Sequence, residues 1–175
     1  MATRSTPSQS PELEAFRTAG ARAFYRDPSF GEVRFLKAGQ RPAMAKTERA
    51  LPWAAADWVA EEADGAAIGW LRLPGVAAAQ APVVTLSNEG SLAVTGLALV
   101  DHFATIAGPG ADLEPLLAFC RKHALAGPRA ADVVKQAVAK AKLHKLDAKV
   151  PKVDAAAWAK LVERSRPAIP RRARS

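Results

Sequence analysis

Cysteine, aromatic side chains and long apolar runs are all scarce in this chain of 175 residues. The one cysteine, Cys120, excludes an internal disulfide framework and fits a reducing compartment. The longest weakly polar run, residues 92–100, is far shorter than the roughly 20 residues that a membrane-spanning helix needs. Residues 1–11 lack the basic start and apolar run of a signal peptide. These absences predict a soluble, cytoplasmic protein.

Charge is abundant but unevenly placed along the chain. The net charge of +8 divides into +4 for residues 1–50, −5 for residues 51–125 and +9 for residues 126–175. An acidic middle segment therefore precedes a basic carboxyl-terminal segment. Such asymmetry is typical of proteins whose basic part contacts nucleic acid or a membrane, and it is equally typical of a solvated helical surface rich in lysine.

Residues that could carry catalysis are few. Cys120 and His123 are three positions apart on a predicted helix, but a buried helical cysteine beside a surface histidine is the favoured interpretation. His102 and His144 stand apart from them, and no histidine has a partner at metal-ligand spacing. The Gly-Pro-Gly turn at residues 108–110 lacks the lysine and hydroxyl residue of a phosphate-binding loop. The sequence therefore predicts no enzymatic activity, no metal and no cofactor.

A carboxylate cluster in the middle segment is the first candidate binding site. Its members are Asp57, Glu61, Glu62 and Asp64. Catalytic carboxylates usually lie in an apolar cleft that shifts one pKa, whereas these lie in an alanine-rich stretch that is expected to be exposed. A solvated face is the first interpretation, and a docking patch for a basic protein partner is the second. The nearby tryptophans are expected to pack in or around the core, because no lysine or arginine alternates with them.

The basic segment offers an alternative site for a different partner. Its candidate residues are Lys140, Lys142, Lys145, Lys149, Arg171 and Arg172. Cations of this kind can pair with the phosphates of nucleic acid, and such binding weakens steeply with salt. The segment contains no zinc-finger, RNP-like or homeodomain-type pattern. Any contact with nucleic acid is therefore expected to be independent of base sequence.

The order of predicted elements indicates an α+β fold. Apolar spacing and turn residues predict a helix over residues 12–25, strands over 32–37, 68–73 and 83–86, a return strand from 92, and helices over 97–107, 112–125, 129–146 and from 154. The Ser87-Asn88-Glu89-Gly90 turn joins two strands as a hairpin loop. An antiparallel meander with packed helices is the simplest arrangement of these elements.

The clearest boundary in the chain is the Gly127-Pro128 pair. It is expected to separate an α+β domain at residues 12–127 from an Ala/Lys-rich helical extension at residues 128–166. Disordered ends are predicted at residues 1–11 and 167–175, because both are rich in polar residues and proline. Whether the extension packs on the domain is left open by the sequence.

Short motifs in residues 51–107 resemble the central part of the SUKH superfamily, which includes the Smi/Knr-type yeast regulators and many bacterial immunity proteins. The motifs are Leu51-Pro52-Trp53, Ile68-Gly69-Trp70-Leu71, the block at residues 82–90 and Leu99-Val100-Asp101-His102-Phe103. The chain departs from the family in carrying a histidine at position 102, where an aromatic residue or leucine is usual, and in being basic overall.

The resemblance implies an antiparallel sheet with packed helices and no enzymatic activity. Bacterial members of the superfamily commonly neutralise a toxin by occluding its active site. The first hypothesis is therefore a protein-binding module of immunity type that uses the carboxylate cluster. The alternative is a nucleic-acid-associated protein that uses the basic segment.

Overall fold

A five-stranded sheet forms the centre of the molecule in the computed structural model, which describes residues 10–19, 33–46, 52–143, 146 and 152–167. Its strands are β1 (Arg34–Phe35), β2 (Ala56–Glu61), β3 (Ala67–Leu71), β4 (Val83–Leu86) and β5 (Leu92–Gly96). The strand order is β1-β2-β3-β4-β5 and every neighbouring pair is antiparallel. The predicted α+β meander is confirmed.

Five α-helices within the described ranges pack on this sheet. They are α1 (Pro11–Ala19), α2 (Leu99–Ala107), α3 (Glu114–Lys122), α4 (Ala131–Lys140) and α5 (Ala155–Arg164). Short 3-10 turns occupy Ala43–Lys46, Trp53–Ala55 and Ala78–Gln80. The amino end of α5 is fixed by Asp154, whose carboxylate accepts hydrogen bonds from the backbone N–H groups of Ala156 and Ala157 at 3.0 Å.

Side-chain alternation along the strands divides the interior into two cores. Ile68, Trp70 and Val83 belong to a first core that also contains apolar side chains of α1, α2 and α3. Leu71 and Val84 belong to a second core on the other side of the sheet. Successive strand residues point to opposite faces of the sheet. The two cores therefore lie on opposite faces, and helices cover both.

The segment after Gly127 supplies the helical layer of the second core. Four side chains of this segment are buried in that core together with side chains of the sheet: Val134 and Ala137 of α4, Leu143 after α4, and Trp158 of α5. The Trp158 indole N–H also donates to the Gln80 carbonyl at 2.7 Å. The residues predicted as an extension thus share a core with the domain that precedes the Gly127-Pro128 pair.

Residues 1–9 and 168–175, which include most of the two predicted disordered ends, lie outside the described ranges.

The alanine-rich stretch before residue 62 is more buried than predicted. It forms strand β2, and Val59 and Ala60 are buried in the first core. Alanine gives little amphipathic signal in a sequence, yet its small side chain suits a strand packed closely between neighbours. Opposite Trp58, a Cβ on Gly69 would lie 2.7 Å from the Asp57 carbonyl oxygen, so only glycine fits there. The prediction of an exposed stretch was therefore wrong.

Two predicted elements are shorter in the structure. The helix predicted over residues 129–146 ends at Lys140, and Lys142 then adopts the left-handed conformation with a φ of 57°. Of the strand predicted over residues 32–37, residue 32 lies outside the described residues, and within residues 33–37 only Arg34–Phe35 form a strand. The first helix is described only over Pro11–Ala19, and the rest of its predicted span lies outside the described residues.

Candidate functional site

The four predicted carboxylates do not form one cluster. Asp57 lies at the start of β2 and pairs with Arg72 at 2.6 Å, while Glu61 lies at the end of the same strand. Glu61 pairs with Arg34 and accepts a hydrogen bond from the backbone N–H of Ala43 at 2.9 Å. Asp57 and Glu61 are four positions apart along the strand, which separates their backbones by about 13 Å. Asp57 and Glu61 are therefore held by cations of the same chain.

Glu62 and Asp64 instead lie in a turn at one end of the sheet, and the neighbouring turn carries a third carboxylate, Glu89. Because β2, β3, β4 and β5 run antiparallel in sequence order, the β2–β3 turn and the β4–β5 turn lie side by side. The Asn88 side-chain amide donates to the Asp64 carbonyl at 3.4 Å and so bridges the two turns. We call Glu62, Asp64 and Glu89 the acidic turn patch. Glu89 is not among the residues predicted from the sequence, because only the strand register brings its turn next to the turn of Glu62 and Asp64.

Both turns are fixed by hydrogen bonds of their own. The Asp64 carboxylate accepts from the Ala66 backbone N–H at 2.9 Å, and Gly65 has a φ of 92°. The Ser87 hydroxyl oxygen accepts from the Ser91 backbone N–H at 3.0 Å. Asp64 and Glu89 are exposed, and within the described ranges neither forms an ion pair. Asp64 and Glu89 therefore present unpaired negative charge on ordered backbone, beside the partly buried Glu62.

Behind the patch lies a buried histidine. The His102 ring is fully buried, with Nδ1 2.8 Å from the Thr95 hydroxyl and Nε2 3.7 Å from a carboxylate oxygen of Glu62. Thr95 in turn lies 3.3 Å from the hydroxyl of Thr85. A Cβ on Gly96 would lie 2.8 Å from the His102 backbone nitrogen, so glycine permits this close approach of α2 to β5.

Thr95, His102 and Glu62 follow one another in the order of a hydroxyl nucleophile, a base and an orienting carboxylate. The separation of 3.7 Å between His102 and Glu62 exceeds hydrogen-bond length, and Nε2 has no hydrogen-bond partner in the part of the chain that the structure describes. A buried polar atom without a partner is costly, and a carboxylate oxygen of Glu62 lies 3.7 Å from this one. The row connects the acidic turn patch to the interior of the sheet.

A buried ion pair joins α2 to the segment that carries α4 and α5. Asp101, at the amino end of α2, accepts from the backbone N–H groups of Leu97 and Ala98 at 2.9 and 3.0 Å. It also accepts from the backbone N–H of Arg129 at 2.7 Å and from its guanidinium at 3.0 Å. The same guanidinium donates to the Val162 carbonyl of α5 at 2.9 Å. Asp101 and Arg129 therefore act as a structural connection between the two helical layers.

Glu12 of α1 makes a similar connection on the first core. Its carboxylate accepts from the Val100 backbone N–H at 3.0 Å, at the amino end of α2. Burial raises the pKa of Glu12 to about 7, and the backbone hydrogen bonds offset only part of that effect. This carboxyl therefore changes its protonation state near neutral pH.

Cys120 and His123 do not form a reactive pair. Cys120 is fully buried, and burial, with a smaller contribution from Glu12, raises the pKa of its thiol to about 12. The His123 ring packs against the Phe119 ring with centroids 4.4 Å apart. The thiol is therefore protonated at neutral pH and is not a thiolate nucleophile.

The predicted cations are only partly described. Lys140 and Lys142 are exposed at the end of α4 and just after it, whereas Lys145, Lys149, Arg171 and Arg172 lie outside the described residues. Five further exposed cations lie on or beside α4 and α5: Lys135, Lys152, Lys160, Arg164 and Arg166. None of these five is among the cations predicted as the binding site, because the exposed side of each helix depends on which side packs against the sheet.

Comparisons with protein-family models, with curated proteins and with solved structures find no match. Among the described residues, no group of three or more His, Cys, Asp or Glu side chains could hold a metal ion. Within the same ranges, every helix is too short or too polar to cross a bilayer.

Proposed function

We propose that this protein is a non-enzymatic binding module that docks a basic protein partner on the acidic turn patch. The observation that carries the proposal is that two adjacent turns at one end of the sheet bring Glu62, Asp64 and Glu89 to the same region of the surface. Neither turn contains a lysine or arginine. Like charges gathered in this way steer an oppositely charged partner and favour its association.

Two of the four carboxylates predicted from the sequence are excluded from this surface. Asp57 and Glu61 already pair with Arg72 and Arg34, so a partner would have to displace an internal cation to use them. Glu62 and Asp64 remain, and Glu89 joins them. A partner that places one lysine or arginine over Asp64 and another over Glu89, with Glu62 adding to the negative potential beside them, would fit the patch best.

The resemblance of residues 51–107 to the SUKH superfamily supports a partner of a particular class. Its bacterial members commonly inhibit toxins, and the antiparallel meander followed by α2 is the architecture that the resemblance implies. We infer that the partner is a basic toxin domain, which the bound module would inhibit by covering its active site.

Affinity capture with matched variants tests the proposal. The patch variant carries Glu62→Gln, Asp64→Asn and Glu89→Gln, and asparagine keeps the oxygen that accepts from Ala66. The control variant, Glu14→Gln, Asp132→Asn and Glu163→Gln, changes three exposed carboxylates elsewhere by the same total charge. A basic protein should be retained by the wild type and the control but lost by the patch variant. Equal retention by both variants would contradict the proposal.

A further inference from the structure

The outer side of the second helical layer is strongly basic. Seven exposed cations lie on α4, on α5 and on the residues beside them: Lys135, Lys140, Lys142, Lys152, Lys160, Arg164 and Arg166. We call these residues the basic helical face. Three exposed carboxylates share the layer, of which Asp154 caps α5 and Glu163 lies 3.8 Å from Arg166. Within the described ranges, the other six cations of the face form no ion pair.

Packing on the sheet orients these cations toward solvent. The apolar residues Val134, Ala137 and Trp158 point into the second core, so the charged residues of both helices are left on the opposite side. Arg129, just before α4, bonds to Val162 and Ser165 near the end of α5. The start of α4 therefore lies close to the end of α5, and both helices belong to the layer that covers the second core.

The chemistry of this surface fits a regular polyanion. Each helix has ten residues and is about 15 Å long. Over that length a nucleic acid duplex carries about nine phosphates. An anionic bilayer fits less well, because a helix that lies in a membrane surface turns apolar side chains outward. The apolar side chains of α4 and α5 are instead used by the core.

The absence of aromatic side chains on this surface favours a duplex over a single strand. Trp158 is the only aromatic residue of α4 and α5, and it is buried. Proteins that bind single strands usually stack bases on exposed aromatic rings. Lysine side chains reach phosphates but do not read base edges when they lie outside a groove. We propose that the basic helical face binds duplex nucleic acid through its phosphates, independently of base sequence and separately from the acidic turn patch.

Fluorescence anisotropy of the full chain with a labelled 20-base-pair DNA of random sequence tests this inference. The face variant carries Lys135→Gln, Lys140→Gln and Lys160→Gln. The control variant carries Lys37→Gln, Arg41→Gln and Lys122→Gln, three exposed cations outside α4 and α5. Both variants lose the same charge, and all six positions are exposed, so circular dichroism should show an unchanged fold.

At 50 mM salt the wild type should bind the duplex, and the face variant should bind at least about tenfold more weakly than the control. The slope of log affinity against log salt should fall by about 0.9 for each phosphate that the face variant no longer neutralises. Equal weakening by the two variants would overturn the inference, because net charge alone would then explain it. Tighter binding to the matching single strand, or to vesicles with anionic lipid, would overturn the assignment to a duplex.

Discussion

The acidic turn patch and the basic helical face place charge on the molecule in different ways. The carboxylates of the patch lie on or next to turns whose backbone is fixed by hydrogen bonds, such as the bond from Ala66 to Asp64. The cations of the face are long side chains on the outer sides of helices, and only the inner sides of those helices are fixed by the core. Long charged side chains keep much of their rotamer freedom when exposed.

This difference determines the kind of partner that each region suits. Charges carried by a fixed backbone can match a particular arrangement of cations on a folded partner, which gives specificity. Mobile charges on a broad surface suit a repeating polyanion, which tolerates many alignments.

The strongest test of this comparison removes the anchor of the second helical layer. Arg129→Ala leaves the Asp101 carboxylate buried without its cation, and losing one partner of a buried ion pair costs about 3–5 kcal/mol. Urea unfolding should show that loss in the free energy of unfolding. Arg164→Ala, an exposed control, should change it by less than about 0.5 kcal/mol. Equal effects would mean that the basic helical face is not held by this ion pair.

A smaller effect is expected from the anchor on the first core. The pKa of Glu12 is about 7 in the folded protein, above its ordinary value of 4.5. Between these pH values the unfolded chain releases the Glu12 proton while the folded protein keeps it. This group therefore stabilises the fold fully below pH 4.5, and its contribution is lost as pH rises to about 7. The loss amounts to at most about 3 kcal/mol.

Comparison with Glu12→Gln isolates this contribution from other titrating groups. Glutamine keeps an oxygen that can accept from the Val100 backbone N–H. Measured by urea unfolding at pH 4.5, 6 and 7.5, wild-type stability relative to the variant should decline as the pH rises. A difference that is independent of pH would show that folding does not raise the pKa of Glu12.

The sequence predicted the sheet better than the site. Val83, Val84 and the Ser87–Gly90 turn carry local signals of a hairpin, because β-branched residues and a glycine turn favour it without tertiary contacts. Strand β2 has no such signal, since its alanines become strand residues only through burial between neighbours. Local patterns therefore sufficed for β4 and β5 and failed for β2.

Proximity in sequence also misled the assignment of the carboxylates. Glu61 and Glu62 are adjacent, yet one pairs with Arg34 on the edge strand and the other faces His102. Glu89 is 25 positions from Asp64 but lies in the neighbouring turn. Only the strand register determines these relations, and a single sequence does not contain it explicitly.

The smallest expected effect separates Asp57 from the acidic turn patch. Asp57 and Arg72 form an exposed pair, with side chains 30% and 48% accessible, and such pairs contribute about 0–1 kcal/mol. Asp57→Asn should therefore leave the urea midpoint nearly unchanged. In the capture experiment it should retain the basic partner as the wild type does, whereas Asp64→Asn alone should weaken retention, because only Asp64 presents an unpaired charge. If Asp57→Asn reduced retention as much as Asp64→Asn, the binding surface would have to extend along β2 and the distinction between paired and unpaired carboxylates would fail.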